Sequence, residues 1–171
     1  NHWMRGGAYA VKAAREGFAC IAMTNSIAVM PAWGAKECRI GTNPLILSVP
    51  GTPPALLDMS MSQFSYGAIE MHRLNGKTLP VDGGYDENDC LSKNPSDIEK
   101  TKRVLPAGFW KGSALSIAID MFLVGLSGGL SVKQITDQGC ETNISQVLIC
   151  FDFSKTATNA FAQQLQDIVA F

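Results

Sequence analysis

The pattern of apolar and polar positions along the chain predicts short helices and strands in irregular alternation. Residues 4–16 carry Tyr9, Ala10, Ala13 and Ala14 on or near one face at helical spacing, and Gly17 ends the run. The pair Gly6-Gly7 near its start is costly in a helix but permits another group to come close. Residues 18–24 read as a buried strand. Residues 25–43 form a long irregular stretch broken by Pro31, Gly34 and Gly41, and a connection of that length is usually functional. Residues 45–49 and 55–59 read as two strands. The intervening Pro50-Gly51-Thr52-Pro53-Pro54 is too short for a parallel crossover, so the pair is expected to be antiparallel.

Further along, residues 62–74 read as a helix with Ser62 as its cap, closed by Asn75-Gly76. Residues 79–95 are turn-rich and acidic, and a short charged helix to residue 104 is expected to start there with Ser96 as cap. Residues 112–126 form a strongly apolar helix ended by Gly128-Gly129. Residues 144–153 read as a strand, and 158–171 as an amphipathic helix. The strands and helices do not alternate as a doubly wound sheet requires. Neither G-x-G-x-x-G nor a Walker A motif occurs. By pattern alone the chain is an α+β domain.

Composition narrows the picture in three ways. The 171 residues suit one domain, and 46% apolar residues supply a core. Charged residues are only 17%, below the usual quarter, which suggests that part of the surface is normally covered. A net charge of −1 with no basic stripe argues against nucleic acid as a partner. The five cysteines, Cys20, Cys38, Cys90, Cys140 and Cys150, are odd in number and include no C-x-x-C pair. Reduced thiols in a cytoplasmic setting are therefore expected, with neither a disulfide framework nor a metal site. Cys38 lies near a candidate substrate loop, yet an inert thiol is the better reading. The most apolar stretch, 114–130, is short, rich in Gly and Ser and interrupted by Asp120, so no membrane span is expected. Asp120 should find a hydrogen-bonding partner. Asn143-Ile144-Ser145 matches a glycosylation sequon of a kind common by chance. The chain opens on Asn1 rather than Met, and the expectation is an excised fragment.

Several motifs together resemble one family. They are Asn1-His2-Trp3-Met4-Arg5-Gly6-Gly7, Thr24-Asn25-Ser26, Pro31-Ala32-Trp33-Gly34-Ala35-Lys36-Glu37, Gly41-Thr42-Asn43-Pro44, Leu57-Asp58-Met59-Ser60-Met61-Ser62 and Gly108-Phe109-Trp110-Lys111-Gly112. In order and spacing they resemble the malate/L-lactate/ureidoglycolate dehydrogenase family, whose pattern includes N-H-x-G; here Gly6 follows His2 at a longer spacing. Two runs, 33–44 and 79–85, resemble its diketogulonate-reducing branch in particular. The resemblance covers residues 1 to about 153. It implies a mainly antiparallel sheet flanked by helices, a non-Rossmann dinucleotide-binding domain spanning 1–171, and a homodimer. It also implies NAD(H)-dependent interconversion of 2-oxo and 2-hydroxy acids, and a helical N-terminal region, absent from this chain, with a further catalytic histidine.

On that basis the chemistry-bearing residues are as follows. Hydride reduction of a ketone leaves an alkoxide that needs a proton, and His2 suits the donor's role; a helix-capping histidine is the plainer reading. Asn1 is expected to orient its ring. His72, near a helix end, reads as structural. The segment Asp58, Met59, Ser60, Met61 and Ser62 is expected to line the dinucleotide where a strand ends and a helix begins, since unpaired N–H groups there bind phosphate; an ordinary capped helix is the alternative. Lys111 supplies a cation for phosphate and Trp110 a flat face for a ring. Ser26 divides evenly between cofactor contact and turn serine. Lys36, Arg39 and Thr42 are candidates for a substrate carboxylate, against a plain set of surface charges with a local contact between Lys36 and Glu37. Malate, lactate, ureidoglycolate or a cyclic imino acid remain alternative substrates. A non-catalytic nucleotide-binding or assembly domain is the alternative outside enzymes.

Overall fold

The structure is a computed structural model that describes residues 3–155, 158 and 160–171. The chain divides into two compact units, one built chiefly from Thr24–Pro44 and Ser60–Gln146, the other from His2–Met23, Leu45–Met59 and Val147–Phe171.

The second unit holds a four-stranded sheet in the order β5-β4-β1-β8. Strand β1 is Phe18–Thr24, β4 Leu45–Val49, β5 Ala55–Met59 and β8 Gln146–Asp152. Strand β4 pairs antiparallel with β1, Cys20 opposite Ser48, and with β5, Leu47 opposite Leu57. The expected antiparallel pair 45–49 and 55–59 is therefore found residue for residue. Helix α1, Gly6–Arg15, packs on β4 and β5. Its small residues allow the close approach. A side chain at Gly6 would collide with Trp3 and Ile46, and one at Gly7 with the Asp58 carboxylate. Ala10, Cys20, Ala22 and Ile46 form the core here, with Trp3 and Ala13 against it. Helix α6, Phe161–Ala170, follows, and none of its residues is buried.

The first unit is mainly helical. The stretch 25–43 is not wholly irregular, because β2, Met30–Pro31, and β3, Cys38–Ile40, pair antiparallel within it. Helix α2, Tyr66–Leu74, starts four residues later than the pattern suggested. Its cap is Ser65, whose hydroxyl accepts from the Ala68 amide at 3.1 Å, and not Ser62. The reason is tertiary. The Gln63 amide donates to Leu105 O at 2.7 Å and Ser62 bridges antiparallel to Pro106, which holds 62–63 out of the helix. A small hairpin, β6 at Gly84–Tyr85 and β7 at Leu91–Ser92, occupies the acidic turn region. Helix α3, Pro95–Thr101, is capped by Asn94 rather than Ser96. Proline takes the first helical position, so the residue before it becomes the cap. Helix α4, Trp110–Ser127, begins two residues early and ends on Gly128 in the left-handed conformation. Helix α5, Val132–Asp137, lies where the apolar pattern predicts no element, and Ser131 and Gln134 form a full capping box at its start. Met30, Met61, Ile69, Leu79, Ile98, Val104, Leu123 and Ile135 are fully or almost fully buried in this unit.

A buried polar network ties the middle of α4 and the start of α5 to the start of the 25–43 segment. Asn25, 1% exposed, donates to Asp120 Oδ1 at 2.9 Å and to Leu130 O at 2.7 Å, and accepts from the Ser145 amide at 2.8 Å. Asp120 also receives the Val132 amide, the first of α5, at 3.0 Å. The lone acid of the apolar helix thus has the partners expected of it. Asn25→Ala strands the Ser145 amide and removes a donor from Asp120. An unsatisfied buried group costs roughly 1–3 kcal/mol, so urea denaturation should show a loss of at least that size. An unchanged midpoint would mean that the network contributes nothing.

Candidate functional site

Residues from three of the sequence motifs meet within the first unit. The first is the Ser26 and Gly41-Thr42-Asn43 loop. The Ser26 hydroxyl donates to Ile27 O at 2.9 Å and accepts from the Thr42 amide at 3.1 Å. Asn43, 1% exposed, accepts from the Ser26 amide at 3.2 Å and donates to Ser116 O in α4 at 2.9 Å. The Ser116 hydroxyl completes the set by donating to Gly41 O at 2.7 Å. Ser26 therefore shapes the turn, and one lone pair of its oxygen remains for a further donor. Asn43, which stands in one of the sequence motifs, and Ser116, which does not, act as positioning residues. Asn43 has φ of +23°, a conformation asparagine tolerates better than most residues.

The second and third motifs are joined by a backbone ladder. The Met61 amide donates to Thr42 O at 2.7 Å, the Ala107 amide to Met61 O at 2.8 Å, and the Gly112 amide to Ala107 O at 2.9 Å. Met61 is fully buried and both of its backbone groups are taken. It belongs to the core that supports the site, a correction to its expected place against the dinucleotide. Ser60 and Ser62 lie on either side of it with their hydroxyls 2.9 Å apart. No helix begins at this strand end, so the phosphate-binding terminus expected at 58–62 is not there. The long helix terminus in this region is that of α4, which carries Trp110 and Lys111 in its first turn.

That first turn is held in an unusual shape. Gly108 and Phe109 both have φ of +61°, and Phe109 has ψ of −112°. The second is a strained conformation for a residue with a side chain. The Phe109 ring packs on Trp33, centroids 4.6 Å apart, and the Trp33 amide donates to Ser113 Oγ at 2.8 Å. Gly112 has no room for a side chain. A Cβ there would lie 2.8 Å from Ala107 N, 2.9 Å from Met61 O and closer still to Ala107 O. Gly112→Ala should destabilise by about 1–3 kcal/mol through overpacking, read by thermal melting; a wild-type melting temperature would show that the ladder yields freely. Lys111 and Trp110 are exposed, Trp110 at 63%. Among the described residues no salt bridge reaches Lys111.

The remaining candidates lie elsewhere. In the second unit, Asp58 accepts from the Gly7 amide at 2.8 Å and so caps α1, the plainer of its two readings. Met59, the last residue of β5, pairs with Leu45. Lys36 pairs with Asp89 and not with Glu37, and Arg103 joins the same carboxylate. Hydrogen bonds from Lys36 and Arg103 hold the Asp89 carboxyl below its usual range. Arg39 pairs with Glu37 on the surface. His72 contacts Ala68 O at 2.8 Å through Nδ1, in keeping with a structural role. All five cysteines are free. His2 and Asn1 lie outside the described residues.

An exposed ammonium and an exposed indole in the first turn of α4, with the half-buried Ser60 hydroxyl backed by the buried Ser62, suit a ligand that carries phosphate and a flat ring. Known proteins give this arrangement a context. A family profile for malate/L-lactate dehydrogenase matches residues 1–171. The 2,3-diketo-L-gulonate reductase of Salmonella typhimurium is 54% identical over the whole of this chain, which covers 52% of that protein. The chain thus spans about half the length of the curated relatives it matches. Among solved structures, the delta1-piperideine-2-carboxylate reductase of Pseudomonas syringae superposes with a TM-score of 0.83 at 27% identity, over 99% of this chain and 53% of that one. The malate dehydrogenase of Pyrococcus horikoshii does so with a TM-score of 0.81 at 26% identity, over 99% of this chain and 48% of that one. The chain belongs to the malate/L-lactate dehydrogenase family.

Proposed function

We propose that this chain forms the cofactor-binding part of an NADH-dependent oxidoreductase that reduces 2,3-diketo-L-gulonate, with residues 1–171 serving as one NAD(H)-binding domain. The observation that carries the reading is the 54% identity, over the full chain, with 2,3-diketo-L-gulonate reductases. The backbone ladder from Thr42 to Gly112 supports it, because it sets Lys111 and Trp110 on the same scaffold as Ser60 and Ser62. Binding is proposed to be of a non-Rossmann kind, since the sequence has no G-x-G-x-x-G.

When bound, the nicotinamide supplies the hydride. The chain's own residues supply the rest. Lys111 neutralises phosphate, the Ser60–Ser62 hydroxyl pair adds one donor, and Trp110 offers its ring face. Ser26 offers its remaining lone pair. His2 donates the proton to the alkoxide oxygen of the product. Arg39, Lys36 and Thr42 are proposed for the substrate carboxylate. Exposed ion pairs of the Arg39–Glu37 kind are worth only about 0–1 kcal/mol, so an incoming carboxylate can displace Glu37 at small cost. A substrate panel assayed by NADH oxidation tests the reading. Turnover of 2,3-diketo-L-gulonate above malate, lactate, ureidoglycolate and cyclic imino acids is the expected result. Turnover of none of them would overturn it.

The enzyme is further proposed to be a cytoplasmic homodimer, with no nucleic-acid or membrane partner. Among the described residues no helix is long and apolar enough to cross a membrane. Helix α4 exposes Leu115, Met121, Phe122 and Leu126, with Met121 at 70% and Phe122 at 61%. Leu115, Phe122 and Leu126 share one face of the helix by their spacing, and an exposed apolar face of this kind supports the proposed interface. Sedimentation of the intact enzyme at micromolar concentration should give a dimer or larger, and Phe122→Glu should shift it toward monomer. A monomeric wild type would contradict the dimer.

A further inference from the structure

Cys20 and Cys150 occupy neighbouring strands, β1 and β8, of the four-stranded sheet. Both line one open apolar groove of about 490 Å³, together with Tyr9, Ala13, Phe18 and Leu148. The Phe153 amide donates to Gly17 O at 3.4 Å and the Asn25 amide to Ser145 O at 3.3 Å, and counting inward from either pair sets Cys20 opposite Cys150. Residues opposite one another on adjacent strands have Cα atoms roughly 4.5–5.5 Å apart, inside the window of about 4.4–6.8 Å that a disulfide spans. Cys20 is 2% exposed and packs among Ala10, Ala22 and Ile46, whereas Cys150 is exposed on the outer strand. Cys38, Cys90 and Cys140 belong to the other unit.

We propose that Cys20 and Cys150 are a redox-active dithiol that closes reversibly into a cross-strand disulfide on encounter with a low-molecular-weight disulfide such as oxidised glutathione. Exposure sets the order of events. Burial first, and then the neighbouring Cys150, push the Cys20 thiol up to about 11, so it stays protonated at neutral pH. Cys150 is the solvent-facing sulfur, and its thiolate attacks one sulfur of the small disulfide. The S–S bond breaks, one glutathione thiolate leaves and takes up a proton, and a mixed disulfide remains on Cys150. Cys20 then loses its proton and attacks Cys150 Sγ, expelling the second glutathione as a thiol. Two protein thiols and one small disulfide become one protein disulfide and two small thiols. The cysteine pair is oxidised and the glutathione reduced. The second attack is intramolecular, because the two residues face each other on adjacent strands.

The test uses the purified protein incubated with oxidised glutathione, quenched with acid, alkylated and mapped by mass spectrometry. A peptide pair linked through Cys20 and Cys150 is expected, with Cys38, Cys90 and Cys140 alkylated, and a thiol reductant should restore the free pair. Cys20→Ser should instead accumulate glutathione on Cys150. Cys150→Ser changes an exposed residue and should leave Cys20 as an alkylatable thiol. The linked protein should also melt at a higher temperature, since a cross-link between distant residues restricts the unfolded chain. Stable glutathionylation of wild-type Cys150 without the linked peptide would overturn the proposal. So would a disulfide between Cys150 and any of the other three cysteines.

Discussion

His2→Gln in the intact enzyme is expected to slow reduction of the 2-oxo acid about a hundredfold to ten-thousandfold, the usual contribution of a positioned general acid. NADH affinity should stay near the wild-type value, because the proposed phosphate and ring contacts come from Lys111, Trp110, Ser60 and Ser62. Hydride arrival leaves negative charge on the substrate oxygen, and a group titrating near neutrality is the most effective donor at physiological pH. Glutamine keeps a hydrogen-bonding side chain but has no proton to give. The pH profile of the rate should therefore lose the limb that histidine supplies. The resemblance implies a second histidine in a region outside this chain, and the pH profile separates the two. A large rate loss with the wild-type pH dependence would make the other histidine the donor and His2 the residue that orients the carbonyl. Unchanged rate and profile would return His2 to a helix-capping role.

Lys111→Ala is expected to weaken NADH binding roughly tenfold to a hundredfold. A charge-assisted hydrogen bond contributes about 1.5–3 kcal/mol. The ammonium is exposed, and among the described residues no carboxylate pairs with it. No competing ion pair has to be broken when phosphate arrives. Lysine in the first turn of a helix also sits unfavourably against the helix dipole, so its removal should leave folding stability nearly unchanged. The measurement is a fluorescence titration with NADH, repeated with NADPH to fix the preference between them. Binding should also weaken with added salt, as a screened charge contact does. Equal affinity in the variant would remove Lys111 from the site.

Local chemistry settled much of this protein from sequence alone. The strand at 18–24 and the antiparallel pair at 45–49 and 55–59 followed from β-branched and aliphatic runs bounded by proline and glycine. The ends of α1 and α4 followed from Gly17 and Gly128, where the chain needs positive φ. The membership of the family was legible in motifs such as the one at 41–44 and the one at 108–112.

Other features depended on groups distant in sequence, and only the tertiary structure decided them. Ser62 has every local mark of a helix cap, yet pairing of 62–63 with 105–106 keeps it extended, and Ser65 caps α2 instead. Met61 stands in the candidate site segment by sequence and in the core by packing. Lys36 has Glu37 beside it in the chain but meets Asp89, which a separate hairpin brings to it. Asn43 and Asn25 look like ordinary loop asparagines. Their importance lies in hydrogen bonds to Ser116, Asp120 and Ser145, many residues away. Sequence fixes what each residue can donate, accept or bury. Long-range pairing fixes which of those capacities is used, because a buried polar group must take whichever partner the fold presents.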